Sequence, residues 1–433
     1  SIWSDIFFFS FKLPNLFRRL FGEGAFSQAF MPNLVKISQK GLFCAEILIK
    51  LSLIMLGLSL IVMLFAPLVT KALAFGFSPE TIALAVPLVR INFWYLLAIF
   101  IVTLLSALLQ YKNHFATTAF STALLNISMI TALLLALNLD QKSAAMYLSW
   151  GVVAGGMLQV LSHIIALKKL NLLRLLNLGI VKFAKGKRAK AKGFWQNFGH
   201  GIIGSSANQL SDFISTFIAS FLATGAISYL YYANRIFQLP LALFAIALST
   251  AIFPKIAKEI KSKNDTNAIN LLKKSFSLLF FLLIFSTIGG FVLANEIIWL
   301  LFQRGEFNTN NTIESAKVLQ MYMLGLLPFG LYKLFSLWLY AKMQQKIAAK
   351  IAIYSLFINT ALCLLLFKPL GASGLALAGS ISGLFLLGYA IFVFGIRQFL
   401  DIIFNRINLI TIILAVIFGY LLIELREVIY ANL

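Results

Sequence analysis

Long apolar runs recur along the whole chain, separated by short polar stretches, and each is long enough to cross a hydrocarbon core of about 30 Å. The pattern predicts about twelve helical spans. They fall at 4–30, 45–69, 88–111, 116–138, 145–167, 198–222, 235–255, 273–295, 317–340, 347–367, 373–396 and 405–425. The first run differs from the others. SDIFFFSFKLPNLFRRLFGEGAFSQAFMP (4–32) carries Asp5, Lys12, Arg18, Arg19 and Glu23. On a helical wheel Asp5, Lys12, Arg19 and Glu23 fall within about 40° of one another, with Asn15 and Arg18 to one side. A charge at the bilayer centre costs about 2.5–3.5 kcal/mol on insertion scales, so this stripe is expected to face protein or a water-filled cavity. Pro14 removes one backbone hydrogen bond, which predicts a kink or a broken turn.

The loops alternate in charge. One set holds Lys36 and Lys40, Lys112, the 168–192 segment, Lys255 to Lys263, Lys342 to Lys350, and Arg397 with Arg406. The other set is poor in base, with Lys71 and Glu80, Asp140 and Lys142, and the mixed 296–317 stretch. The basic set is expected on the cytoplasmic side, and the alternation agrees with the span count.

Composition then narrows the class. Of 433 residues, 61% are hydrophobic and 12% charged, and 36 Lys and Arg against 14 Asp and Glu give a net charge of +22. In a chain of this kind the basic surplus sets topology and lies against anionic membrane lipids, so nucleic acid is not an expected partner. Two cysteines, Cys44 and Cys363, sit in or beside apolar runs and predict neither a disulfide framework nor a zinc site. The chain opens at Ser1 in what reads as a helix entrance, and residues ahead of it are expected in the natural protein.

The longest linker, 168–197, holds nine Lys or Arg and no acid. LNLLRLLNLGIVKF within it is amphipathic; it reads equally as a helix on the inner leaflet and as a solvated tether. It divides five spans from seven. Across it runs a weak internal repeat: AFSQAFMP (25–32) echoes ALSTAIFP (247–254), Thr81-Ile82 corresponds to Thr312-Ile313, and Asn126 stands opposite Asn359. Two bundles related by a repeat are the usual build of an alternating-access transporter. The expected fold is therefore an all-α polytopic membrane protein with two pseudo-symmetric bundles around a central cavity. Residues 1–167 would form the N-terminal lobe, 168–197 a basic cytoplasmic linker, 198–396 the C-terminal lobe and 397–433 an additional helix.

Candidate chemistry is anion binding. Arg235, with Asn234 and Gln238, opens the run that pairs with 4–30 in the repeat, so Arg18 and Arg235 are expected to face one cavity. Forked guanidinium donors suit phosphate or carboxylate oxygens. Arg19 and Glu23 read as an i,i+4 pair or a gate. Asp212 and Asn359 are candidates for a cation site or for helix packing, and Lys333 for the cavity or an interface. Enzyme signatures do not emerge. GHGIIG (199–204) matches G-x-G-x-x-G but follows a basic linker, not a strand, and reads as small residues at a helix contact. FQRGEF (302–307) reads as a structural turn.

FKLPNLFRRLFGEGAFSQAFMP (11–32) closely resembles the second-helix signature of the MurJ (MviN) lipid II flippases, within the multidrug/oligosaccharidyl-lipid/polysaccharide exporter superfamily. LLNISMI, YYANRIFQLP, ALSTAIFP and FQRGEF match in the same order. The resemblance implies a multi-pass protein of the bacterial cytoplasmic membrane, acting as a monomer. Its substrate would be lipid II, undecaprenyl-pyrophosphoryl disaccharide-pentapeptide, moved from the inner to the outer leaflet with no cofactor beyond a sodium ion on Asp212 and Asn359. It implies substrate contact for Arg18, Arg235, Lys12 and Asp5, beside Asn15, Asn234 and Gln238, and gating for Arg19 and Glu23. The family's first and last helices have no counterpart here. Where the family often reads D-R-x-x-E, this chain has Asn234, Arg235 and Gln238. Cys363 stands where a second sodium-binding acid would be expected.

Overall fold

The computed structural model describes residues 2–17, 25–189, 192–342 and 344–431; within them the side chains of a few positions, Asp212 and 200–209 included, are left out. Among the described residues every regular element is a helix, and the chain divides into two units, 1–213 and 214–433.

The first unit is arranged round α5. Two helices come from the charged first run, α1 (Ile2–Phe17) and α2 (Ala25–Lys36). Then follow α3 (Lys40–Leu64), the short α4 (Ala66–Leu73), α5 (Pro79–Tyr111), α6 (Ala116–Leu135) and α7 (Gln141–Lys169). Of the single span expected at 4–30, α1 and the start of α2 are described, and α1 runs through Pro14. Helix α5 starts on a Ser78 cap, whose Oγ accepts from the Thr81 N–H, with Pro79 at its first position, where no N–H is needed. It packs α1, α3 and α7 around it. Polar side chains tie these faces: Asn92 Nδ2 donates to Ser10 Oγ at 2.9 Å and Ser149 Oγ at 3.1 Å, and Ser59 Oγ to the Phe93 carbonyl at 3.3 Å. Further along, Ser106 meets His163 at 2.8 Å, and Gln159 donates to the Ser121 carbonyl at 2.9 Å. With little hydrophobic drive between helices in lipid, such bonds and close packing hold a bundle together.

The segment between the lobes is not a free tether. A left-handed turn at Asn171 ends α7 and starts α8 (Leu172–Ala184). Leu172, Leu176 and Gly179 of α8 are buried against α3. A Cβ on Gly179 would run into the Gly41 backbone, so only glycine lets these helices approach so closely. Leu178 and Val181 remain exposed on the other face. Beyond α8 the chain is held by Glu46, which is 2% exposed. Its Oε2 accepts the Ala189 N–H at 2.6 Å, and its Oε1 pairs with Lys50 at 2.5 Å. Phe194 then enters the core beside Phe26, Phe30 and Phe43 at the start of α9 (Lys192–Ala219). The GHGIIG run lies inside α9, a helix rather than a strand-to-helix turn, which removes the phosphate-loop reading.

The second unit begins within α9. It continues as α10 (Ala226–Pro240), a π-helical turn (Leu241–Ile246) and α11 (Ala247–Lys261), one run without a break. Then come α12 (Asp265–Val292), α13 (Ala294–Phe302), α14 (Thr309–Ala341) and α15 (Gln345–Phe394). Helix α15 is two helices joined at Gly371 (φ 57°), which separates the two spans expected at 347–367 and 373–396. The short α16 (Ile396–Ile403) and α17 (Arg406–Ala431) close the chain. Nine helices among the described residues are long and apolar enough to cross a membrane, counting α10 to α11 as one and α15 as one. The difference from the expected count lies in α15, counted once, and in the 4–30 run and α9, which are not among the nine.

The stretch 223–234, expected as a loop, is mostly helix. Its polar aromatics find protein partners: Tyr232 packs on Phe302 and Phe307, with ring centroids 4.8 and 5.5 Å apart, and Tyr229 donates to Asn311 Oδ1 at 2.8 Å. FQRGEF is the turn it was expected to be, with Gly305 at φ 55°.

Candidate substrate-binding site

On α1 the polar positions are not equally placed. Asp5 is 5% exposed, whereas Lys12 and Asn15 are half-buried. Asn15 Nδ2 donates to the Phe11 carbonyl one turn back, at 3.0 Å. On the side of the helix away from Asp5 and Lys12, Ser10 bonds Asn92; Phe11, one turn before Asn15, lies 6.2 Å from Tyr95 between ring centroids. Helix α1 is therefore held firmly to α5. Arg18, Arg19 and Glu23 lie outside the described residues.

In the second unit Arg235 is exposed on α10. Its guanidinium sits over the Tyr231 ring, 4.7 Å from the centroid, and Nη2 donates to Tyr231 Oη at 2.7 Å. Tyr231 is one helical turn earlier, the i,i+4 spacing that brings side chains together. A cation held over a ring keeps its charge and the edge of its fork available for an anion. Sequence reasoning singled out Arg235 and passed over Tyr231; the Y-x-x-x-R spacing was the available signal. Asn234 and Gln238, half-buried, bond to each other through Asn234 Oδ1 and Gln238 Nε2. They flank Arg235 on the same helix. Just beyond them Pro240, which has no N–H, leads into the π-helical turn.

Of the cation candidates, only Asn359 has a described side chain. Asn359 is 1% exposed and its Nδ2 has no hydrogen-bond partner. One turn on, Cys363 Sγ lies 3.7 Å from Ser215 Oγ, at the last turn of α9. The Asp212 side chain lies outside the described residues. Among the described residues no group of three or more His, Cys, Asp or Glu could hold a metal ion. Asn126, opposite Asn359 in the repeat, is exposed on α6. Lys333 is half-buried on α14, and among the described residues it has no ion-pair partner.

Glu46 was not a sequence candidate. Its place inside an apolar run was the available signal, since an acid in such a run needs a partner. Here the partners are the linker backbone and Lys50.

Comparison with known proteins agrees with this helical plan. The family model described as lipid II flippase MurJ matches residues 1–432. A probable lipid II flippase MurJ of Helicobacter pylori (strain ATCC 700392 / 26695) is 49% identical over 416 residues, covering 94% of this chain and 90% of that protein. One from Buchnera aphidicola subsp. Acyrthosiphon pisum is 33% identical over 395 residues, covering 88% and 75%. Among solved structures, a lipid II flippase MurJ in an inward closed conformation aligns with a TM-score of 0.80 at 25% identity, covering 100% of this chain and 93% of that one. An inward-facing multidrug transporter of the MATE family aligns with a TM-score of 0.61 at 14% identity, a likeness of fold alone. This multi-pass membrane protein belongs to the lipid II flippase MurJ family.

Proposed function

We propose that the chain moves lipid II from the inner to the outer leaflet of the bacterial cytoplasmic membrane, as a monomer and by alternating access. The observation that carries this reading is the family match over essentially the whole chain, with relatives named for that activity at up to 49% identity. In this reading the pyrophosphate docks on Arg18 and Arg235, and Lys12 assists. Bidentate guanidinium contacts would offset the cost of stripping water from a doubly charged diphosphate. Asp5, Asn15, Asn234 and Gln238 shape and orient that charge, and Arg19 with Glu23 gates it. The support for Arg235 is its exposed guanidinium poised on Tyr231. The support for the α1 residues is their position on the one apolar run rich in charge, which bare lipid would not accommodate. The protein's role is transport, and lipid II leaves chemically unchanged.

The test is lipid II exposure on the outer leaflet of a bacterium depleted of its own flippase, read by a head-group-cleaving toxin added from outside. Expression of this chain is expected to restore cleavage. Arg18→Ala and Arg235→Ala are each expected to abolish it while the protein still reaches the membrane. Full exposure with either variant would remove that arginine from the site. Failure of the unaltered chain to restore exposure would overturn the substrate assignment.

A further inference from the structure

A second basic site lies within the second unit, on elements other than α10. A groove of about 580 Å³ opens between α12 and α17. Its mouth is polar, with Asn270, Lys273, Lys274 and Asn405. Its inner part is lined by Ser277, Thr411, Leu278 and Phe281. Deeper still, Phe285 meets Phe418 at 5.1 Å between ring centroids, which brings the two helices together below the groove.

Both helices begin at the same membrane face. Helix α12 follows the basic end of α11, with Lys255, Lys258 and Lys261, and then Lys263; α17 follows α16, which carries Arg397, and opens with Arg406. Such basic segments mark the cytoplasmic side. Lys273 is about 12 Å along α12 from its start at 1.5 Å per residue, and Phe281 about 12 Å further. The groove thus runs from charge to hydrocarbon over the depth at which a lipid passes from headgroup to chain.

Two further observations point to an anionic occupant. Neither lysine has an ion-pair partner among the described residues, whereas Asp265, at the helix start, is taken by Lys342 at 2.7 Å. Ser277 lines the groove, is 7% exposed, and its Oγ has no hydrogen-bond partner. A buried hydroxyl without a partner is costly, and an acceptor oxygen in the groove would satisfy it. Leu278 and Phe281 are 51% and 41% exposed, an apolar wall suited to an acyl chain.

We propose that this groove is a binding site for one anionic phospholipid of the cytoplasmic leaflet. Its phosphate lies on Lys273 and Lys274, and the first part of one chain lies along Leu278 and Phe281. The site is independent of the transported substrate. It gives α17 a lipid-dependent seat against α12 on the basic face.

The test is native mass spectrometry of the purified, delipidated full chain with phosphatidylglycerol or phosphatidylcholine added. One tightly held phosphatidylglycerol and no comparable phosphatidylcholine is the expected result. The double variant Lys273→Gln/Lys274→Gln is expected to weaken phosphatidylglycerol retention about tenfold or more, since each juxtamembrane base contributes to anionic-lipid affinity. Leu278→Trp, which keeps both lysines and fills the apolar wall, is expected to weaken it as well, with thermal melting confirming the fold. Lys346→Gln/Lys350→Gln, a basic pair elsewhere on the same membrane face, is expected to leave it intact. The proposal is overturned if the Lys273/Lys274 variant binds like the unaltered chain, if the Lys346/Lys350 variant loses as much, or if glycerol phosphate alone displaces the lipid.

Discussion

Helices α5 and α14 are the hubs of their units; each has 33 residues and an internal proline, Pro87 in one and Pro328 in the other. Each starts on a polar cap, Ser78 in one and Asn308 in the other. Around this common frame the two units are held differently. The first uses polar cross-ties between helices: Asn92 to Ser10 and Ser149, Ser106 to His163, Gln159 to the Ser121 carbonyl. The first also has a ring cluster at Phe26, Phe30, Phe43 and Phe194, but in the second the hub helix itself is packed mainly by rings. Phe335 lies within 6.2 Å of Phe276, Phe394 and Phe399, and Phe237 stacks on Tyr322 at 5.5 Å. It keeps direct polar ties such as Ser380 to the Met321 carbonyl at 2.6 Å. The repeat therefore preserves helix lengths and caps, which depend on local sequence. It does not preserve the means of packing, which depends on which side chains meet. Hydrogen bonds fix one partner and one register; apolar rings contribute area and tolerate small shifts.

Truncating one residue in each unit probes that contrast. Phe335→Ala is expected to destabilise the second unit by about 3–5 kcal/mol, the usual cost of emptying an aromatic core position. A melt followed on the purified protein reads it, and a loss below 1 kcal/mol would mean the rings are not what holds α14. Glu46→Ala, in the first unit, removes the acceptor of the Ala189 N–H and the partner of Lys50. The expected cost is about 1.5–3 kcal/mol, the range for hydrogen bonds to a charged group. Limited trypsin digestion checks it locally: cutting after Lys185, Lys187 or Arg188 should become faster, and an unchanged pattern would show that α8 alone seats the segment.

Asn92→Ala is expected to cost about 1–2 kcal/mol, since two buried hydroxyls each lose a donor yet keep their own bonds to the Phe7 and Ala145 carbonyls. A cost as large as that of Phe335→Ala would erase the contrast between the units.

The smallest effect concerns the caps. Asp140 caps α7: its carboxylate accepts from Ser143 Oγ at 2.6 Å and from the Ser143 and Lys142 N–H groups. These bonds, the Ser143 hydroxyl first, hold its pKa below the usual carboxylate value. A lowered folded-state pKa contributes stability that is present above the unfolded value and lost as pH falls through the folded one. The α7 start should therefore weaken only at acid pH, below about 4. The neutral Asn308 cap of α14 should show no such dependence. Amide exchange at the two helix starts, compared at neutral and acid pH, tests the difference, and equal responses would contradict it.

Much of this protein is written in its sequence. The apolar runs placed most of the spans, Gly371 falls between two of them, and the first run stood apart by its density of charge alone. Membrane helices read well because lipid offers a uniform demand: about twenty apolar residues and every backbone bond satisfied within the helix. The polar positions did not read as well. Tyr229 and Tyr232 looked like loop residues and lie in α10, because Asn311, Phe302 and Phe307 arrive from elsewhere in the chain to meet them. The segment after α7 read equally as a tether or a membrane-surface helix; it is a helix packed on α3, because Gly41 and Gly179 lack the side chains that would hold the helices apart, and its Leu178 and Val181 stay exposed. Asn126 and Asn359 looked equivalent, yet one is exposed and the other buried. Arg235 was visible as a charge, while its seat on Tyr231 needed the helix to turn once. The sequence by itself determined where most of the chain becomes helix, since that follows from local composition and a uniform solvent. Only the tertiary structure decided which polar group finds a partner, because that depends on residues distant in the chain whose approach no local pattern records.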